Sequence, residues 1–403
     1  MTIPLPTTRS QAMPEPMTSV IRTSAAQGKA YSAALISDQC EILKLAQWTD
    51  QMSSPQLFLA SVLTSSWKPW AVAVSHHGRS AGVLYCKERL IGGIGTGIVF
   101  GDDALGMMTS APTGEAGAVI SCAFQALARK MRAIRFVLRP EHAIAFEPAQ
   151  TGADVVIRST APNAHLDLPA TYEELLNKVG SRTRRNLRYY RRKSESAENR
   201  FSPQLPLDEF RAAAHQLRPN AAFTQSVPRL EKYHVMIEAT PTRLLAGLRD
   251  RTGAWISLVG GWGIGQRAFV LLQMNDRGHA RDSISVVMRA YLLELLIEQG
   301  YREVVFLGGT VPPLSCYCRY PECSLLFVDR ASLSWRVARA AMSAINAVAP
   351  QALASQVAYL VPTDSGTLHP GGRCSRRRLQ SQSLDEHSDY IFPLTIRTTD
   401  SDC

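Results

Sequence analysis

The chain has 403 residues, 45% of them hydrophobic and 19% charged, which leaves ample capacity for a buried core and excludes wholesale disorder. A formal charge of +10 and a pI near 9.3 direct attention to anionic partners: nucleic acid, phosphate-bearing cofactors or an anionic lipid surface. No apolar run approaches the roughly 20 residues that span a bilayer, and the Pro-, Thr- and Ser-rich start lacks a leader pattern, so a cytoplasmic protein with reduced cysteines is expected.

Residues 1–37 mix Pro, Thr, Ser and Ala without a period and are expected as a flexible tail. Order is expected to begin with a short amphipathic helix at 40–48, followed by an apolar run at 56–67. Two β-rich runs, 71–75 and 81–89, flank the polar turn His76-His77-Gly78-Arg79 and predict a hairpin. A strand at 93–100, a loop at 101–114, a helix at 115–131 and a short strand at 134–140 complete the first half. The second half repeats this order. A hairpin is expected around Arg249–Gly253, then a strand at 267–275, a loop at 275–283, a helix at 284–300 and a strand at 303–309. An internal duplication is the simplest reading of that repetition.

Between the halves lies 171–198. Thr171 and Glu174 are spaced as a capping box, and Leu176, Val179, Thr183, Leu187 and Tyr190 recur at helical intervals. The other faces carry Arg182, Arg184, Arg185, Arg188, Arg191, Arg192 and Lys193, with almost no counter-charge in the local sequence. Two readings stand: a clamp for phosphates, or a solvated helix face. Like charges four apart destabilise a helix, and Tyr189 and Tyr190 between arginines could also stack on bases. A strand and helix follow at 201–217, then a polar, aromatic loop around Phe223 and Tyr233.

The run 166–195, followed by a hairpin, a strand and the 282–309 segment, resembles the GNAT acyltransferase superfamily. Within it the chain is similar to the BioF2-like, CelD-type acetyltransferase branch, related to the FemAB peptidyltransferases. Leu176, Ser181, Arg184, Arg185, Asn186 and Arg188 carry the match to that branch's basic linker helix. The resemblance implies an α/β (α+β) fold of two tandem GNAT-like domains, each a mixed, mostly antiparallel sheet flanked by helices, joined by a long basic helix. The expected division is a tail at 1–37, domains at 38–168 and 201–330 around the 169–200 helix, a C-terminal helix at 331–360 and a flexible tail at 361–403.

It further implies acetyl-CoA or another acyl-CoA as donor, lying between splayed strands of the second domain. Gln273, Asn275, Arg277, Gly278, Arg281, Ser283, Gly308 and Gly309 would line that site, with Arg184, Arg185, Arg188 and Tyr233 available to an anionic substrate. The loop before Ile284 is independently a natural anion site, because a helix N-terminus presents unpaired N–H groups and partial positive charge. The family's phosphate loop begins with Gln or Arg, whereas Asn275 stands there in this chain; Gly278 and Ala280 fit its later positions.

Acyl transfer needs a base as the amine or hydroxyl attacks. Asp282, Tyr317, His234 and Glu238 are candidates, Asp282 having the alternative reading of an ion-paired structural residue. The Gly308-Gly309-Thr310 segment reads as a ligand approach or as a simple turn, and Gly260-Gly261 as a β-bulge or hairpin bend rather than a phosphate loop. Cys316-x-Cys318-x4-Cys323 lacks a fourth ligand and the usual spacing, so no metal is expected and the residues read as thiols, with Cys316 open as a nucleophile. Three functions follow: an acyl-CoA-dependent N- or O-acyltransferase acting on a polar small molecule or cell-envelope precursor; a FemAB-like aminoacyl transferase using charged tRNA; and a non-catalytic protein binding anionic membrane or nucleic acid.

Overall fold

The computed structural model describes residues 19–21, 31–48, 54–62, 67–102, 116–140, 142, 153–161, 163–223, 225–310, 313–330, 335–337 and 340. Strands β1 (Ser19–Ile21) and β2 (Tyr31–Ile36) precede helices α1 (Gln39–Lys44) and α2 (Pro55–Val62). The first expected hairpin is present: β3 (Trp67–His76) and β4 (Arg79–Ile91) pair across His77 and Gly78, whose φ angles of 49° and 77° suit a primed turn. Strand β5 (Ile94–Asp102), helix α3 (Ala116–Lys130) and strand β6 (Ala133–Leu138) follow, with β6 parallel to β5. Strand β7 (Asp154–Thr160) ends this run.

Strand β8 (Asn163–Asp167) leads into α4 (Tyr172–Lys178) and α5 (Ser181–Ser196). Then come β9 (Arg200–Ser202), α6 (Leu207–Leu217) and α7 (Val227–Glu238). The second hairpin, β10 (Arg243–Arg249) and β11 (Trp255–Ile264), is followed by β12 (Arg267–Asn275), α8 (Ile284–Glu298), β13 (Glu303–Leu307) and β14 (Cys323–Asp329). The order hairpin, strand, helix, parallel strand thus occurs twice, and the architecture is a mixed α/β fold of two tandem units with mostly antiparallel sheets.

Four expectations need correction. Strands β1 and β2 fall within the segment expected as a tail; Tyr31, Ala33 and Leu35 alternate into the core along β3, so strand pairing overrides local composition. The continuous 171–198 helix divides at Val179 and Gly180, both extended, because a β-branched residue and a glycine are weak helix formers. Helix α7 stands where an aromatic loop was expected, with Pro228 in its first turn and Leu230, Tyr233, His234 and Ile237 buried along one stripe.

The fourth concerns the boundary between the units. The first sheet runs β1-β2-β3-β4-β5-β6-β14-β7, and the second runs β8-β13-β12-β11-β10-β9. Strand β14, which follows the second unit in sequence, inserts between β6 and β7, while β8 adds to the second sheet beside β13. The sheets therefore exchange strands across the sequence divisions at 168 and 330.

Each sheet is covered on both faces. In the second, Leu244, Ala246 and Leu248 face the apolar side of α8, whereas Leu245, Leu258 and Met274 face α6 and α7. Helix α2 lies between the units: Leu57 and Ala60 join the second core and Phe58 and Val62 the first. Residues 335–337 and 340, within the segment expected as a C-terminal helix, are helical, and Trp335 is buried in the first core. The expected loop at 101–114 is described only at 101–102, and the expected tail at 361–403 lies outside the described residues. Among the described residues, no helix is long and apolar enough to cross a membrane.

Candidate functional site

Strands β12 and β13 are parallel but pair only from Arg267–Glu303 to Val270–Phe306. At that point β12 bulges, since Gly260 faces Leu272 and Gly261 faces Val270, leaving Leu271 as the extra residue. Gly261 permits this approach: a Cβ there would lie 1.9 Å from the Phe269 carbonyl oxygen. The irregularity expected at Gly260-Gly261 thus has its extra residue on the facing strand, and it sits where the two parallel strands part. Beyond it β12 continues to Asn275 with no strand partner on that side among the described residues. Leu271, Gln273 and Asn275 are half-buried along this edge. A parted pair of strands offers backbone donors and acceptors to an extended, amide-bearing ligand.

On the β13 side the slot ends at Gly308 and Gly309, with φ of 79° and 90°. The Gly308 N–H donates to Asn163 Oδ1 at 3.1 Å and the Gly309 N–H to the Phe306 carbonyl at 3.1 Å, so both amides are used within the turn.

From Asn275 the chain turns through Arg277–Asp282 into Ser283, which takes a left-handed φ of 50° and makes no side-chain cap bond. Helix α8 consequently starts with amides that no side chain caps. Arg281 is exposed there. The other expected residues hold the loop to the sheet. Asn275 Oδ1 accepts from Ser257 Oγ at 2.8 Å and from Gln273 Nε2 at 3.3 Å, and Arg277 donates to the Ala221 carbonyl at 3.2 Å. The Gly278 amide is engaged by the Asp276 carboxylate at 2.6 Å.

Arg289 of α8 was not among the residues expected to line the site. Its Nε donates to Gln273 Oε1 at 3.1 Å, and its guanidinium lies 5.7 Å from the centre of the Phe306 ring. It thus reaches from α8 toward both strands where they separate. Arg289 is 7% exposed, and burial pushes its pKa down to about 10. The available signal was a single cation within the mostly apolar run 284–297, where Glu294 is the one acid.

The basic segment is less bare than its sequence suggests. The Thr171 hydroxyl accepts from the Glu174 N–H, and Glu174 reaches back to the Ala170 N–H, completing the capping interaction. Leu176, Val179 and Leu187 pack on Ala290 of α8, as the helical spacing predicted. Acids remote in sequence or on neighbouring elements then pair with the cations: Arg188 with Glu173 at 2.7 Å, Arg191 with Glu294 at 2.6 Å and Lys193 with Asp282 at 2.9 Å. Arg184 donates to Asn177. Arg182, Arg185 and Arg192 remain exposed without an acidic partner among the described residues, beside exposed Tyr189.

The four candidate bases do not converge. Hydrogen bonding from Lys193 holds the Asp282 carboxyl below the usual carboxylate range, with His279 adding to it, which favours the ion-paired reading. Tyr317 uses its hydroxyl structurally, accepting from the Gly180 N–H at 2.8 Å and donating to Thr183 at 3.3 Å, which fastens the start of α5. Glu238 pairs with Arg211 at 2.6 Å. His234 is fully buried on α7, against Phe210, and burial pushes its pKa down to about 4. Tyr233 on the same helix is also buried and accepts from Arg229. Cys316, Cys318 and Cys323 are free thiols at three different depths, exposed, half-buried and buried.

No protein-family model matches the sequence, and no curated protein does. Among solved structures, FemX is similar with 10% identity and a TM-score of 0.50, over 72% of this chain and 95% of that one. The C-terminal DUF2156 domain of a protein assigned as a lysylphosphatidylglycerol synthetase from Agrobacterium fabrum is similar with 11% identity and a TM-score of 0.50, over 75% and 95%. A tandem GNAT protein from the clavulanic acid biosynthesis pathway aligns with 13% identity and a TM-score of 0.41, over 73% and 94%. The class that this architecture defines is a mixed α/β fold of two tandem units with mostly antiparallel sheets. Within it the chain is similar to FemX and the DUF2156 domain, as the resemblance to FemAB-related proteins implied; at these identities the likeness is one of fold.

Proposed function

We propose that the chain is a transferase that moves an acyl group, acetyl in the first instance, from an acyl-CoA to an amine or hydroxyl of a polar small molecule or cell-envelope precursor. The parting of β12 and β13 at the Leu271 bulge carries this reading. The slot suits an extended amide-bearing arm along 271–275, and the uncapped start of α8 with Arg281 suits its phosphates. The thioester supplies the activated acyl group. The protein's own part is to hold donor and acceptor in line, which by itself can account for a large share of a rate enhancement. Gln273, kept in place by Arg289, would orient the donor's reactive end.

Arg182, Arg185 and Arg192 favour a second reading, in which the donor is a charged tRNA and the exposed cations engage its backbone. A thermal-shift panel separates the two. Acetyl-CoA raises Tm under the first reading, because a ligand bound only by the folded state stabilises it. A flat response to acyl-CoAs together with salt-dependent tRNA binding would establish the second. No response to either overturns both and leaves a protein that binds anionic surfaces without catalysis.

A further inference from the structure

A cluster on the opposite face of the second sheet plays no part in this reading. His215 stands near the end of α6, and Glu231 and His234 are three residues apart on α7, facing it. His215 Nε2 lies 2.6 Å from Glu231 Oε1, and His234 Nδ1 lies 3.8 Å from the same oxygen. One ligand atom from each of the three residues falls within 4.8 Å of the other two. His215 and His234 also meet ring to ring, with centroids 5.8 Å apart.

The second observation is the state of His234. Its side chain is 0% exposed, and neither ring nitrogen has a hydrogen-bond partner. A buried imidazole left in that condition is costly, and a group of this kind asks for a ligand. The carboxylate oxygen 3.8 Å from Nδ1 belongs to a glutamate that is half exposed, so the cluster opens to solvent on its other side. Arg211, the nearby cation, is committed to Glu238.

We propose that His215 Nε2, Glu231 Oε1 and His234 Nδ1 bind a transition-metal dication of the zinc class, which fastens α6 to α7. Two imidazoles and a carboxylate form a donor set suited to zinc, cobalt or nickel rather than magnesium or calcium. Metal–ligand bonds of about 2.0–2.2 Å place donor atoms roughly 3.4 Å apart at tetrahedral angles. The exposed His215 and Glu231 side chains need only rotate modestly to reach that spacing, while His234 stays fixed by its burial. The fourth position falls to water.

The consequence reaches the candidate site through the backbone. The α6–α7 loop donates from the Ala222 N–H to the Asn275 carbonyl at 2.8 Å, and its Ala221 carbonyl accepts from Arg277. A metal that joins the two helices therefore holds that loop against the end of β12.

The test uses the untagged full chain, stripped with EDTA and titrated with Zn2+ by calorimetry and with Co2+ by absorption. His215→Ala and Glu231→Gln are the diagnostic variants, since both positions are solvent-facing and tolerate substitution without loss of the fold. Cys316→Ser controls for binding by thiols. The expected result is stoichiometric Zn2+ binding, a tetrahedral Co2+ spectrum, and affinity lowered on the order of tenfold or more in both variants and unchanged in Cys316→Ser. Absence of binding, binding that survives both variants, or binding that disappears in Cys316→Ser overturns the proposal.

Discussion

Arg135 and Asp329 form an ion pair at 2.8 Å with side chains 2% and 3% exposed, joining β6 to the returning strand β14. Removing one partner from such a pair strands a buried charge, typically costing about 3–5 kcal/mol, whereas replacing both with apolar residues of similar volume is often neutral. Asp329→Ala is thus expected to lower the urea midpoint sharply, and Arg135→Met with Asp329→Leu to recover most of the loss. A single mutant as stable as the wild type would show that β14 is not held by this pair.

The contact of Arg289 with Gln273 should couple energetically. A hydrogen bond to a charged group contributes about 1.5–3 kcal/mol, and residues in contact depart from additivity. A double-mutant cycle with Arg289→Met and Gln273→Leu should give an interaction energy in that range by chemical denaturation. Both single variants should also weaken donor binding. Strict additivity would mean that the two side chains do not support one another.

Gly261→Ala places a methyl against the Phe269 carbonyl, which neither strand can accommodate without moving. The expected loss is about 1–3 kcal/mol, as for other overpacked positions. Because the bulge sets where β12 leaves β13, donor affinity should fall by more than stability does. Unchanged binding in a folded Gly261→Ala protein would separate the bulge from the site.

Asp282 has a pH signature. Its carboxyl is held low in the folded chain by Lys193, so its contribution is present above the ordinary carboxylate pKa and is lost as pH falls through the folded value. Being substantially exposed, the pair contributes little to stability. Asp282→Asn should leave turnover within a few-fold and its neutral-to-alkaline pH profile unchanged. A general base would instead cost about 10²–10⁴-fold, and a loss of that size would return Asp282 to catalysis.

The basic helix divides into cations that stabilise and cations that are available. Arg182→Ala with Arg185→Ala should change stability by no more than about 0.5 kcal/mol, as exposed substitutions do, while reducing both anion affinity and its salt dependence. Arg191→Ala should do the reverse, because Arg191 joins Glu294 and lies over the Tyr291 ring. If all three leave anion binding intact, the helix is a solvated face.

Much of this was legible in the chain itself, for local reasons. The His77-Gly78 turn, the capping interaction of Thr171 and Glu174, the stripe from Leu176 to Leu187 and the bulge at Gly260-Gly261 all follow from residues within a few positions of one another. Helix α7 has equally local signals, Pro228 in its first turn and the spacing of Leu230, Tyr233 and Ile237. Arg289 is visible as the one cation of its helix, but its neighbour on β12 is not.

What the sequence by itself determined is therefore the two hairpins, the strand, helix and strand that follow each, and the repetition that makes two tandem units. The tertiary structure alone decided which strands share a sheet, so that β14 returns to β6 and β8 joins β13. It also decided which arginines of the basic helix meet acids and which do not, and it brought His215 to Glu231 and His234. The physical reason is common to all three. Periodicity and capping act over a few residues, whereas strand register, ion pairs and convergent side chains depend on surfaces that come together only when the chain has folded.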